Sequence, residues 1–257
     1  MRVLVNMSQP REPSEGFRSS ASRFDTTHWS LVLTAQDTSS PTSAEAMGLL
    51  CRTYWYPLYA YVRRQGQNSH DAQDLTQEFF SRLLEKGYLH AAASEKGRFR
   101  TFLLVALQRF LANEWDRARA LKRGGGRSQV PLDAAGAESR YQTEPTDSLT
   151  PERIFERRWA VTVLEQTLVR LRAEYERLQR LPEFERLKEF LTAERGTIPY
   201  GEVAAALGVS AGAARAAVHR LRERFRELFR EQIAQTVSNS DDLEDELRYV
   251  VAALSGG

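Results

Sequence analysis

The chain has 257 residues, 42% of them hydrophobic and 27% charged, and its 36 Lys and Arg against 34 Asp and Glu leave a net charge of only +2. That composition supports buried cores and excludes a chain disordered throughout. A single cysteine, Cys51, excludes a disulfide framework or a multi-cysteine zinc site, and the four histidines (His28, His70, His90, His219) have no metal-ligand spacing.

No metal and no cofactor is therefore expected. The longest apolar run, Phe102 to Leu107, is far short of the roughly 20 residues of a membrane span. Met1 to Val5 is too short an apolar start for a signal peptide. The expectation is a cytoplasmic protein with no membrane insertion.

In chain order, residues 1–22 are rich in Ser, Pro, Arg and Glu without a period, and predict a flexible tail. Residues 23–125 have helical periodicity, with Leu49, Leu50, Tyr54, Leu58, Tyr61 and Val62 three and four apart, and predict a helical domain. Gly124, Gly125 and Gly126 break it. The stretch 126–150 lacks a sustained apolar face and predicts a linker. Helix restarts with Thr150 as N-cap and Pro151 in the first turn, and residues 151–237 form a second helical domain. Residues 238–257 predict an acidic amphipathic helix. The fold class is all-α: two helical domains joined by a flexible linker, the second a helix-turn-helix.

Three segments carry functional signals. In the first, residues 71–86, Leu75, Phe79, Leu83 and Leu84 form an apolar stripe, and Asp71, Asp74, Gln77, Glu78 and Arg82 fall on the polar remainder. Taken alone, this is an ordinary amphipathic surface helix. The second segment carries eight Lys or Arg against two acids between Arg98 and Arg127, which suits phosphate neutralisation. Its aromatics Phe99, Phe102, Phe110 and Trp115 read mostly as core.

The third segment is the most specific. Ala204 is the small residue where two helices cross, Gly208 suits a left-handed turn, and Ser210 caps the following helix. That helix carries six Arg against two Glu between Ser210 and Arg230, a local excess hidden by the global balance. Arg215, near its start and pointing away from Val203 and Leu207, suits base readout in a major groove, and Arg220 and Arg222 suit phosphate. From Asp241 to Arg248 the last helix has five acids against one Arg, opposite in sign. It is expected to pack on the second domain and occlude its basic face.

Together, over about residues 24–235, these segments resemble the sigma-70 factors of bacterial RNA polymerase, in particular the extracytoplasmic-function (ECF) group. The segment DAQDLTQEFFSRLLEK resembles the family's polymerase-binding helix, GRFRTFLLVALQRFLANEWDRARALKR its promoter-melting helix, and EVAAALGVSAGAARAAVHRLRERFRELF its helix-turn-helix. The resemblance implies contacts with core RNA polymerase through Asp71, Asp74, Leu75, Gln77, Glu78 and Phe79. It implies reading of the minus-ten promoter element by Arg98, Arg100, Phe102, Arg109, Asn113, Arg117, Arg119, Lys122 and Arg123. It implies reading of the minus-thirty-five element by Ser210, Arg215, His219, Arg220 and Arg222. Phe102 stands where the family usually has tryptophan, Arg109 where asparagine is common, and Gly212-Ala213-Ala214 where Gly-Thr-Val is usual. The implied partners are core RNA polymerase, promoter DNA and an anti-sigma factor.

The alternative reading is a helix-turn-helix regulator that acts as a dimer without a sigma role. An enzyme is the weakest reading: there is no Gly-rich phosphate loop, no nucleophile elbow and no catalytic residue set.

Overall fold

The computed structural model describes residues 39–84, 98–120, 134–142, 149–194, 196–237 and 240–255, with single residues at 31, 34, 35 and 37. The described residues carry nine α-helices and no strand, so the protein is all-α. The expected tail over 1–22, the glycine run, Lys122 and Arg123 lie outside the described residues.

Helix α1 (Ser43–Arg64) is the centre of the first core. Its ten residues from Thr53 to Val62 are all buried, the pattern of a helix enclosed on every side. Around it pack α2 (Ser69–Leu84) and α3 (Phe99–Ala120), through Phe79, Phe80, Leu83, Leu103, Leu107 and Phe110.

Helix α5 (Pro151–Arg177) makes the most extensive contact with α1. Thr150 caps it through a hydrogen bond from the Arg153 amide (3.3 Å), and Pro151 occupies the first turn, as the sequence predicts. At 27 residues it is about 40 Å long. It belongs to two cores. Phe155, Trp159, Ala160 and Val163 enter the first. Leu171 and Tyr175 enter the second, with α6 (Leu181–Leu187), α7 (Tyr200–Leu207) and α8 (Ala211–Ala234). The packing thus divides midway along α5, whereas the sequence pattern places 151–237 in one unit. The far end of α8 crosses back, and its Ile233 joins the first core.

Between the cores lies a chain of polar side chains. Gln166 donates to Thr53 (3.0 Å), Gln232 to Gln166 (3.2 Å), and Arg170 to Gln232 (3.1 Å) and Glu231 (2.8 Å). Thr53 and Gln232 are buried, and burial without such partners would cost about 1–3 kcal/mol per group.

Two elements differ from the sequence expectation. Residues 134–142, within the expected linker, form helix α4 (Ala134–Gln142). It is tied to α1 by polar groups: Glu138 accepts from Tyr59, from Arg63 at 3.0 Å through each oxygen, and from Gln142 at 3.1 Å. Arg63 also stacks on Tyr141 (4.7 Å) and Arg140 on Tyr56 (4.3 Å). The other is the last helix, α9 (Leu243–Leu254), which packs chiefly on α5 and joins the first core through Val250. Its acids meet arginines at the start of α3 and the end of α8, not Arg215, His219 and Arg220. The expected packing on the 151–237 stretch is seen, on α5 and the end of α8, but the expected occlusion is corrected: α9 lies away from Arg215, His219 and Arg220.

Burial alone would raise the Glu138 carboxyl, but the bonds from Tyr59, Arg63 and Gln142 hold it below the ordinary glutamate value. A depressed folded pKa contributes stability above the ordinary value of 4.5, lost as pH falls through the folded value. Glu138→Gln is expected to lower urea stability at pH 7, and its gap from wild type to close in acid. A gap independent of pH would refute the role of this carboxylate.

Candidate nucleic-acid interface

Asn68 begins α2 as a cap: its Oδ1 accepts from the Asp71 backbone amide (2.9 Å) and its side-chain Nδ2 donates to the Asp71 carboxylate (2.7 Å). Ala72, Thr76, Phe79 and Phe80 then turn inward. Asp71 and Asp74 are exposed, and Leu75, Gln77 and Glu78 are half-buried. Glu78 accepts from Arg82 (3.0 Å), which also pairs with Glu114 of α3 (2.9 Å) and lies over the Phe110 ring (5.0 Å). Burial would raise the Glu114 carboxyl, but Arg82 and Arg117 hold it below the usual range. Phe79 has no exposed surface and packs on Phe110 (5.7 Å). Its expected contact with another protein is therefore corrected: in this fold it supports the α2 edge from inside.

Helix α3 buries Phe99, Leu103, Ala106, Leu107, Phe110 and Leu111 and turns Thr101, Val105, Arg109, Ala112, Asn113 and Asp116 outward. Arg109 and Asn113 are exposed, and Phe102 is half-buried beside Phe99 (6.1 Å). Trp115, read from sequence as core, is 37% exposed. Arg117 is exposed and pairs with Glu114 (2.8 Å). Arg119 lies in the helix, but its side chain is outside the described set.

Arg100 differs most from expectation. It is 3% exposed, with its Nε 2.6 Å from Glu246 Oε1 and its Nη2 3.0 Å from Oε2, and it stacks on Tyr249 (4.0 Å). Burial would lower its pKa, but Glu246 holds it above the ordinary value. Arg98 also reaches Glu246 (2.8 Å). In this conformation Arg100 is sealed from any nucleic acid, because a carboxylate from α9 already fills its fork.

The hairpin of α7 and α8 follows the sequence closely. Gly208 ends α7 at φ 68°, and the Val209 amide closes the turn on Ala204 O (3.0 Å). Ser210 is extended and accepts from the Ala213 amide (3.2 Å). Val203 and Ala204 meet Ala214, Ala217, Val218 and Leu221 in the second core. The opposite side of α8 exposes Arg215, His219 and Arg220, with Arg215 over the Tyr200 ring (5.0 Å) and His219 3.8 Å from Glu223.

Three of the later arginines of α8, Arg222, Arg224 and Arg230, are engaged within the fold, while Arg226 is exposed. Arg222 donates to Phe190 O (2.8 Å) and to Ala193 O, so its guanidinium supports the partly exposed turn that follows α6. Arg224 makes a two-pronged pair with Glu174 (2.7 and 2.8 Å) and donates to Glu227 (2.8 Å). Arg186, which sequence reading missed, donates to Ala206 O at the end of α7. No periodicity marks such a cross-helix cap.

The family model described as ECF sigma factor matches residues 39–231, more than two thirds of the chain, and the chain belongs to that family. Membership supports a role in transcription initiation and a DNA-binding character, and ECF sigma factors as a family are transcription regulators. No curated protein and no solved structure matches it. Among the described residues no helix is long and apolar enough to cross a membrane, and no cluster of metal ligands occurs.

A Cβ at position 208 would meet no heavy atom within 4 Å, so only backbone strain opposes a substitution there. Gly208→Ala is expected to cost roughly 1–2 kcal/mol through its left-handed φ. Ser210→Ala should cost about 1 kcal/mol through the lost cap. Thermal denaturation followed by circular dichroism checks both. A Gly208→Ala protein as stable as wild type would contradict the turn geometry.

Proposed function

We propose that the protein binds core RNA polymerase through the acidic outer edge of α2 and directs it to promoters with the outer face of α3 and the exposed row of α8. The observation that carries this reading is the sorting of arginines on α8. Arg222 and Arg224 are turned to carbonyls and carboxylates of the fold, while Arg215, His219 and Arg220 stand on the side opposite the α7 contact. A helix held by its inner residues and basic on its outer ones fits a major groove.

The half of the site on α3 rests on Arg109, Asn113 and Trp115, all exposed on a rigid helix. Aromatic side chains of this kind stack on unpaired bases, and arginine supplies phosphate contacts. On α2, Asp71 and Asp74 present carboxylates to a partner and their replacement leaves the core untouched. An anti-sigma factor is a further partner consistent with this reading.

The decisive experiment is run-off transcription with purified core polymerase. The protein is expected to support initiation from a specific promoter, and a dimeric regulator would not. Asp74 is exposed, with His70 at 3.6 Å, and exposed pairs contribute about 0–1 kcal/mol. Asp74→Ala should leave the melting temperature unchanged and weaken core binding in a pull-down; unaltered binding would remove α2 from the interface. Arg215→Ala is expected to relax preference in the upstream promoter element by roughly 1–3 kcal/mol. Arg220→Ala should weaken binding to all sequences and lower the salt slope by about 0.9. An Arg215 variant losing affinity equally for every sequence would assign it to phosphate instead.

A further inference from the structure

We propose that α9 is an intramolecular clasp in which Glu246 occupies the place of a DNA phosphate on Arg98 and Arg100, masking the start of α3 until α9 is displaced. The inference rests on the reading of α3 as a DNA-contacting helix, and it adds a closed state to that reading.

Glu246 has no exposed surface and takes three short contacts: Arg100 Nε at 2.6 Å, Arg100 Nη2 at 3.0 Å and Arg98 Nε at 2.8 Å. Two guanidinium groups on one anionic group, one of them two-pronged, is the arrangement arginine uses for carboxylate and phosphate alike. Tyr249, one turn later, lies beneath both, 4.0 Å from Arg100 and 5.8 Å from Arg98. Glu156 of α5 lies 3.8 Å from Arg100 and adds a second, looser carboxylate.

The remaining attachment of α9 is modest. Val250 is its one fully buried apolar side chain among the described residues, while Val251 is 56% exposed. Leu243, Leu247 and Leu254 are half-buried, and Glu244 meets Arg230 of α8 at 2.5 Å. The helix has 12 residues, a length that does not stand alone in water. A buried ion cluster repays its desolvation only in part, so it fixes where α9 sits more than how tightly.

Removing the carboxylate leaves two adjacent cations at the start of α3 whose charge needs an anion. A polyanion supplies one at high local concentration. DNA and α9 therefore compete for the same guanidinium groups, and anything that holds α9 away raises DNA affinity.

The test uses the full chain. Glu246→Gln is expected to bind fork-junction promoter DNA roughly tenfold more tightly at low salt, and to steepen the salt slope by about 0.9 for each arginine released onto the duplex. Adding Arg98→Ala and Arg100→Ala to that variant should abolish the gain. In the unaltered protein, amide exchange in 243–254 should accelerate when core polymerase and promoter DNA are added, a readout that needs no variant to fold. If Glu246→Gln gains no affinity, or 243–254 keeps its protection in the transcribing complex, α9 is a fixed part of the core and the clasp is overturned, while run-off activity still stands. Loss of run-off activity in the wild type would instead overturn the sigma reading.

Discussion

The continuity of α5 is the constraint on which the rest depends. One helix of 27 residues supplies apolar side chains to two cores, and between them it must carry side chains that neither core accepts. Thr162, Gln166, Thr167 and Arg170 occupy that stretch. Thr162 and Thr167 turn their hydroxyls back to Arg158 O (2.9 Å) and Val163 O (2.8 Å), while Gln166 and Arg170 reach across to α1 and α8. The polar belt sets the register of three helices at once, because Gln166 bonds to Thr53 on one side and Gln232 on the other. A slip of one residue would leave buried amides without partners, which apolar packing alone would not punish as sharply. The two ends of the molecule are thus held by different means, hydrophobic burial within each core and directional hydrogen bonds at the junction.

The sequence was most legible where the determinants are local. The turn at Gly208, the cap at Ser210 and the small contact at Ala204 lie within seven residues, and each performs the role its chemistry suggests. The start of α5 at Thr150 was legible for the same reason. Helix α4 was not, because its anchor is a carboxylate facing Tyr59 and Arg63, 79 and 75 residues away, and an apolar pattern carries no trace of such a tie. The seat of α9 depends on Glu246 finding Arg100 across 146 residues. Its amphipathic pattern announced that it would dock and its charge that it would seek arginines, but two arginine clusters were available. Arg98 and Arg100 lie where Val250 of α9 also enters the first core, so the charged and the apolar contacts of α9 are made together.

Net charge at either global or local scale also misjudges the surface. The excess on α8 counts six arginines, yet Arg222, Arg224 and Arg230 are engaged with Phe190 O, Glu174 and Glu244. The excess on α3 counts Arg98 and Arg100, which share Glu246. What stands open to a polyanion is a smaller set, Arg109 on α3 and Arg215, Arg220 and Arg226 on α8, all exposed on helices whose inner faces are tightly packed. Arginines bound to carboxylates on the surface contribute little to stability, about 0–1 kcal/mol for each exposed pair. Their effect is on the field: each engaged arginine is a charge withdrawn from long-range attraction. A chain of net charge +2 therefore presents a selective basic surface by placement, with carboxylates neutralising the arginines that build the fold and leaving the exposed row of α8 to define the positive face.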